Sequence, residues 1–195
     1  MPTLGEFEEG LLDDIRKTVA SPLLVDLGCG IVGLREGWIG VDAKVPPDTD
    51  RVIVADLFSG AWPFDDASVD MFASNHFLEH VPDWNHHFVE AYRCLKPGGI
   101  YRIIGPHAGS DRATQDPEHR QMLTEDRFLY IDQRWLRANR IAHDHPRVHF
   151  ERVFTGYVWH PQFANVAPEA QQYALKHFRN AANDIVVVLR KEAIP

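Results

Sequence analysis

Residues 23–30 read LLVDLGCG, an apolar run that ends in a glycine-rich turn. Short apolar runs are typical of buried strands, and Gly33 completes a G-x-G-x-x-G pattern directly after this one. Glycines after a strand let a ligand approach the backbone closely, or they merely permit a tight turn. This stretch alone is compatible with both interpretations, so the surrounding sequence must distinguish them.

Further apolar runs continue along the chain. Together with the first they occupy residues 23–27, 38–41, 52–55, 69–74, 100–104 and 185–189. Residues 6–20 and 84–95 instead have apolar positions at helical spacing, and the second of these helices lies between the fourth and fifth runs. A strand–helix–strand unit indicates an α/β fold with a mostly parallel sheet covered by helices. Such sheets bind ligands in the crevice beyond the carboxyl ends of their strands.

The length of 195 residues favours one domain over residues 1–195, with an N-terminal helix within residues 1–20. Residues 105–146 are polar, aromatic and rich in histidine. We interpret them as a cap, inserted after the fifth strand, that selects the substrate. Beyond the fifth strand we expect a helix near residues 132–142, a strand at 148–159 and a helix at 168–180.

The charge balance disfavours several classes of partner. There are 28 Asp and Glu against 20 Lys and Arg, a net charge of −8, and only two cysteines, Cys29 and Cys94. An acidic chain does not favour a broad surface for nucleic acid or an anionic membrane, and the cysteines lack the paired spacing of a zinc or redox site. We find no leader and no membrane-spanning run, and we expect a cytoplasmic protein. Its oligomeric state is open.

Acidic residues recur where strands end. Asp42 closes the second run, Asp56 follows the third, and Asp26 lies in the first. A carboxylate after the second strand can accept both ribose hydroxyls, and one after the third can accept an exocyclic amine, so the set describes a nucleoside pocket. Only residues 34–37 separate Gly33 from the second run, which leaves no room for a helix that would bind a diphosphate. This disfavours NAD and FAD and favours a ligand with a positively charged end.

The motifs resemble those of the class I, Rossmann-like S-adenosylmethionine-dependent methyltransferases. The matching stretches are LVDLGCG at 24–30, GVD at 40–42, ADL at 55–57, WPFDDASVD at 62–70 and LKPGG at 95–99. The resemblance implies a three-layer sandwich with a mostly parallel seven-stranded sheet, and S-adenosylmethionine as cofactor. The shortened connection between the first two strands departs from the family and leaves Gly33 without an assigned role.

The resemblance also implies the positions of the cofactor-binding residues. Gly28 and Gly30 would line the methionine portion, Asp42 would hold the ribose, and Asp56 with Leu57 would contact the adenine. Asn75 and His76 would face the methionine end. The complete expected set is Asp26, Gly28, Cys29, Gly30, Asp42, Asp56, Leu57 and Asn75.

A rival motif lies after the fourth strand, where His76, Glu79 and His80 match H-x-x-E-H, the inverted zinc-peptidase signature. That site needs several helical turns, whereas here a strand precedes it and Pro82 follows almost at once. We therefore assign no metal ligands and expect a short turn, with a zinc-dependent hydrolase as one alternative. We expect His86 and His87, at the start of the next helix, to be surface residues.

The cap supplies two further histidines. His107 follows the fifth strand and His119 lies in the polar stretch 115–120. Either of these, or His76, is a candidate general base toward an oxygen or nitrogen nucleophile. No N/D-P-P-Y/F motif of DNA amino-methyltransferases follows the fourth strand, so a small-molecule acceptor is favoured over a nucleic acid or a protein. A non-catalytic nucleoside-binding module is a second alternative.

Overall fold

A computed structural model describes residues 4–30, 34–44, 50–142 and 146–195 of the chain. The strands are β1 Leu24–Leu27, β2 Trp38–Asp42, β3 Val52–Val54, β4 Val69–Asn75, β5 Leu95–Pro106, β6 Phe150–Trp159 and β7 Ala182–Lys191. The helices are α1 Leu4–Thr18, α2 Trp84–Cys94, α3 Arg112–Gln115, α4 Gln133–Ala138, α5 Pro161–Ala164 and α6 Pro168–His177. Two 3-10 segments, Leu78–His80 and Glu125–Ile131, complete the set for the described residues.

The seven strands form one sheet in the order β3-β2-β1-β4-β5-β7-β6. Strands β1 to β5 are parallel, and β7 lies antiparallel between β5 and β6. The chain runs outward from β1 to β3 and then returns to add β4 beside β1, so the strand order reverses between β1 and β4. The carboxyl ends of parallel strands meet at such a switch point, which is where open sheets of this kind bind ligands.

Alternating side chains cover the two faces of the sheet. Val25, Phe72 and Tyr101 pack with α2 on one face, while Leu24 and Met71 pack with α1 on the other. The expected three-layer α/β sandwich with a mostly parallel seven-stranded sheet is therefore confirmed. The connection between β1 and β2 carries no helix in its described residues, 28–30 and 34–37, as expected. Gly33 lies outside the described residues.

An ion pair ties α1 to the sheet. Arg102 of β5 is only 2% exposed, and its Nε lies 2.5 Å from Oε1 of Glu8 in α1. Its Nη1 also donates to Oδ1 of Asn75, at 2.6 Å, at the end of β4. A buried guanidinium needs such partners, because desolvating an unpaired charge is costly.

The cap segment consists of residues 107–142 and 146–149, between β5 and β6. It contains α3, the second 3-10 segment and α4, whose first turn is capped by the Asp132 carboxylate accepting from the Arg134 and Trp135 amides. The helix expected near 132–142 is shorter than predicted. Strand β5 also starts earlier than expected, at Leu95, because Leu95 pairs with Val69 before a register shift.

One surface expectation is wrong. His87 is fully buried in the face of α2 that packs on the sheet, and its Nε2 lies 2.8 Å from the Tyr101 hydroxyl. Burial lowers the pKa of His87 to about 3, so the ring is neutral. The signal was in the sequence, since position 87 lies on the same helical face as Ala91 and Cys94, four and seven residues on, both of which are buried. No helix in the described ranges has both the length and the apolar character to cross a membrane.

Candidate active site

A cleft of about 310 Å³ opens at the carboxyl ends of the parallel strands. We call it the central cleft. Its lining includes five of the residues expected from the sequence: Gly28, Asp42, Asp56, Leu57 and His76. The other lining residues are Ala43, Lys44, Ala55, Phe58, Phe77, His80 and Glu118. Ala43, Lys44, Ala55 and Phe77 lie within two residues of a strand end, beside residues that the sequence analysis singled out.

Asp42 joins the glycine turn to the end of β2. Its Oδ2 accepts from the Gly30 amide at 2.9 Å, and its Oδ1 accepts from the Lys44 amide at 3.0 Å. Each carboxylate oxygen has a second lone pair, so the group can still accept from a ligand. Gly30 has φ +58°, and a Cβ there would meet no atom of the described residues within 4 Å, so among these residues nothing blocks a ligand above it.

Both the backbone conformation and the surroundings of Gly28 require glycine. It has φ +67°, which glycine alone adopts without strain, and a Cβ there would overlap the Phe77 ring, with Cγ only 2.5 Å away. The group that closely approaches the Gly28 backbone in this structure is therefore the Phe77 side chain. Phe77 also stacks on Phe58 with ring centroids 5.7 Å apart. Two aromatic rings thus form one wall of the central cleft.

Asp26 and Cys29 lie outside the lining of the central cleft. Oδ1 of Asp26 is buried without a hydrogen-bond partner, and burial raises the pKa of this carboxyl against the opposing effect of Arg102 and Arg35. Burial, together with Asp42 and Asp26, raises the pKa of Cys29 to about 11, so it is a protonated thiol. Its Sγ packs against Gly40, where a Cβ would lie 2.5 Å from it.

Asp56 follows β3 and organises the turn after it. Its Oδ1 accepts from the Phe58 amide at 2.8 Å and its Oδ2 accepts from the Ser59 hydroxyl at 2.7 Å. The Ser59 and Phe58 hydrogen bonds lower the pKa of Asp56. Leu57 is buried beside it, and its carbonyl accepts from Nε1 of Trp62. This turn therefore presents an ionised carboxylate and an apolar side chain to the same cleft.

His76 follows β4 in a left-handed conformation, φ +50°, that few residues other than glycine adopt. Its Nδ1 lies 3.2 Å from Oε1 of the buried Glu79, while its Nε2 lies 3.9 Å from Oδ1 of Asp184. The Glu79 hydrogen bond raises the pKa of His76 against the effect of burial. The side chain is half-exposed and lines the central cleft. Asn75, by contrast, is outside the lining and bonded to Arg102.

His107 is engaged within the protein. Its Nδ1 accepts from the Gly109 amide at 3.1 Å, and its Nε2 lies 3.5 Å from Oε1 of Glu125. The His107 and Tyr157 hydrogen bonds lower the pKa of Glu125 to about 2, despite its partial burial. His107 is not among the residues that line the central cleft. Its two ring nitrogens serve to hold the cap segment.

The third histidine lies behind the wall of the central cleft. The His119 ring contacts the ring of His80, which lines the cleft, at a centroid distance of 4.8 Å. The 3-10 segment Leu78–His80 is a single turn, and the geometry of the inverted zinc-peptidase motif requires a longer helix. The hydrolase built on His76, Glu79 and His80 is therefore not supported.

Comparison with known families decides the assignment. The family model described as a methyltransferase domain matches residues 25–103, which extend from β1 into β5. This match to a methyltransferase domain and the similar folds below support the class I methyltransferase family that the sequence motifs predict. S-adenosylmethionine is the cofactor of this family, and the transfer of its methyl group is the family's activity.

Solved structures share the methyltransferase fold. A SAM-dependent methyltransferase from Archaeoglobus fulgidus has a TM-score of 0.56 at 16% identity, with 94% of each chain covered. One from Mesorhizobium loti has a TM-score of 0.55 at 16% identity, covering 92% of this chain and 96% of that one. A geranyl diphosphate methyltransferase in complex with SAM has a TM-score of 0.54 at 17% identity, covering 94% and 83%. No curated protein matches the sequence significantly.

The acceptor groups around the central cleft suit S-adenosylmethionine. S-adenosylmethionine carries an ammonium group and a sulfonium, and the unpartnered Oδ1 of Asp26 is a buried acceptor near the glycine turn. Open space lies above Gly30, and Asp42 and Asp56 both line the central cleft. Acidic acceptors around an open glycine turn fit a cationic nucleoside better than a diphosphate.

Proposed function

We propose that the protein transfers a methyl group from S-adenosylmethionine to an oxygen or nitrogen nucleophile of a polar small molecule. The observation that carries this proposal is that Gly28, Asp42, Asp56 and His76 line one cleft at the switch point of the sheet. Asp42 and Asp56 are positions for the nucleoside, Gly28 is a position for the methionine portion, and His76 is a base beside them. A binding site and a proton acceptor therefore share one cavity.

The cofactor roles in this proposal follow the strand ends. Asp42 holds the ribose hydroxyls, and Asp56 with Leu57 holds the adenine. Asp26, Gly28, Cys29 and Gly30 surround the methionine portion, with the Asp26 carboxylate accepting from its ammonium group. Asn75 does not contact the cofactor in this proposal, because its side chain is bonded to Arg102. It is a positioning residue for the end of β4.

His76 serves as the general base. The cofactor supplies an activated methyl group, so the protein must align the nucleophile and remove its proton. The Glu79 carboxylate accepts from Nδ1–H of His76, which leaves Nε2 with a free lone pair. When the nucleophile takes the methyl group, its proton moves to Nε2, and S-adenosylhomocysteine is the second product. His107 and His119 are not placed for this step, since neither lines the central cleft.

The acceptor lies between His76 and the cap segment. Arg112 of α3 makes two bonds to Asp184, at 3.1 and 3.0 Å, and Asp184 lies 3.9 Å from Nε2 of His76. The Arg112 side chain is half-exposed, so its guanidinium is available to an anionic or polar acceptor. One structural relative is a geranyl diphosphate methyltransferase, an enzyme named for a small-molecule substrate. We also propose that residues 1–195 act as one domain, with residues 105–146 as its cap, in the cytoplasm.

The test is a turnover assay that measures S-adenosylhomocysteine formed with a cell extract, separated into a low-mass ultrafiltrate and a macromolecular fraction. We expect activity with the ultrafiltrate. His76→Asn should reduce it by about 10²- to 10⁴-fold, the usual contribution of a general base, whereas the exposed and remote His177→Asn should not. Activity with the macromolecular fraction alone would contradict the acceptor class, and full activity of His76→Asn would contradict the assigned base.

A further inference from the structure

Glu79, which orients the proposed base His76, forms a cluster with two histidines that the proposed methyl transfer does not use, His80 and His119. Each offers one ligand atom, and these atoms all lie within 4.8 Å of one another. Glu79 and His80 come from the 3-10 turn after β4, whereas His119 comes from the cap segment. Two imidazoles and one carboxylate are a ligand set typical of divalent transition metals.

The Glu79 carboxylate lacks a partner on one side. The residue is 1% exposed, its Oε1 is bonded to His76, and its Oε2 is buried with no hydrogen-bond partner. A buried carboxylate oxygen without a donor is unfavourable, because its desolvation is not compensated. A cation bound beside it would supply the missing interaction and leave the bond to His76 in place.

His119 is held in the tautomer that a metal ligand requires. Its Nδ1 lies 3.1 Å from the carbonyl oxygen of Ala113, which can accept only, so Nδ1 carries the proton and Nε2 has a free lone pair. A hydrogen bond from the second ring nitrogen to a backbone carbonyl is the usual support of a ligating histidine. Oδ2 of Asp116 lies 3.9 Å from Nε2 and adds negative charge nearby.

The backbone also joins the two halves of the cluster. The Glu79 carbonyl accepts from the amides of Arg120 and Gln121, at 2.7 and 2.9 Å. These residues directly follow His119, so the segment that carries this histidine is fixed to the turn that carries Glu79 and His80. The ligand positions therefore exist before an ion arrives, and binding would order few further groups.

We propose that Glu79, His80 and His119 bind a divalent transition-metal ion at the wall of the central cleft. The ligand set differs from the one the sequence motif suggests, because His119 of the cap segment takes the place of His76. The ion would link the cap segment to the turn after β4. Since His80 lines the central cleft, as does Glu118, coordination positions left by the three side chains are open to water or to an acceptor oxygen. The proposal does not depend on the proposed methyl transfer.

Calorimetric titration of chelator-treated protein with ZnCl₂, and separately with MgCl₂, tests the site. We expect one saturable zinc site and much weaker magnesium binding, because imidazole ligands suit zinc and not magnesium. His80→Asn and His119→Asn should each weaken zinc binding by more than about 100-fold. Losing a residue that only hydrogen-bonds to a metal ligand costs up to about 100-fold in affinity, and losing a ligand itself should cost more. His177→Asn, which changes an exposed histidine outside the cluster, should bind as the wild type does.

Circular dichroism of each variant establishes that it is folded, and X-ray absorption of the zinc-loaded protein identifies the ligands. Nitrogen and oxygen donors at about 2.0–2.2 Å support the site, whereas a sulfur at about 2.3 Å would move the ion to a cysteine and overturn the proposal. Wild-type zinc affinity in folded His80→Asn and His119→Asn would overturn it as well. A parallel titration with S-adenosylhomocysteine keeps the two proposals separate, since either ligand can bind while the other fails.

Discussion

Replacing Gly28 with alanine should destabilise the protein for two separable reasons. The residue has φ +67°, and holding an alanine in this left-handed region costs about 1–2 kcal/mol. The new Cβ would also overlap the Phe77 ring, and forced overpacking of this kind costs about 1–3 kcal/mol. The free energy of unfolding should therefore fall by about 2–5 kcal/mol.

Gly30→Ala is the matched control, because Gly30 has a similar φ of +58° but open space where the Cβ would lie. It should lose only the backbone contribution, about 1–2 kcal/mol. Urea unfolding of both variants, each also made in a Phe77→Ala background, separates the two effects by a double-mutant cycle. In that background Gly28→Ala should cost no more than Gly30→Ala. Equal costs of the two alanine variants in the wild-type background would refute the assigned overlap.

Two further predictions concern buried charge. The His107 and Tyr157 hydrogen bonds depress the pKa of Glu125 to about 2, so the stability this carboxylate contributes is present above its ordinary pKa near 4.5 and lost as the pH falls toward 2. In Glu125→Gln the free energy of unfolding at pH 7 should fall by about 1–3 kcal/mol, allowing for the partial exposure of the carboxylate. Urea unfolding between the ordinary pKa of a glutamate and pH 2 should show a weaker dependence of stability on pH in this variant than in the wild type. An unchanged pH dependence would contradict the assigned role of Glu125. Arg102→Met, which removes the partner of Glu8 Oε1 and leaves this carboxylate only Arg35, 3.3 Å from Oε2, should cost up to about 3–5 kcal/mol by urea unfolding. Glu8→Leu in the same chain should recover part of the loss, and no recovery would argue against the ion pair.

The sheet was predictable because its strands carry a strong local signal. The six apolar runs of the sequence all lie in or overlap strands, and the glycine turn after β1 fixes where the crevice opens. What local signals do not fix is the point at which pairing begins. Strand β5 starts at Leu95 because of its partner Val69, a contact between residues distant in sequence.

The location of a site residue was predictable where that residue lies at the end of a strand. Asp42 closes β2, Asp56 lies two residues after β3 and His76 directly follows β4, and all three line the central cleft. The positions of His107 and His119 depend instead on how the cap segment folds back, which no local pattern specifies. The same fold brings His119 to His80, thirty-nine residues earlier in the chain, and places Phe77 over Gly28. Such juxtapositions arise from tertiary packing alone.

The central claim is that the cleft at the switch point binds the cofactor through Asp42. Calorimetric titration of metal-free protein with S-adenosylhomocysteine tests it most directly. We predict saturable one-site binding, weakened about 10- to 150-fold in Asp42→Ala, as expected for about 1.5–3 kcal/mol from a lost charged hydrogen bond. Asp13→Ala, an exposed change on α1, should leave the affinity unchanged. At about millimolar ligand, even a weak site with a binding free energy of about −4 kcal/mol is half filled. Wild-type affinity in folded Asp42→Ala, or no binding of the wild type at that concentration, would contradict the assigned cofactor site.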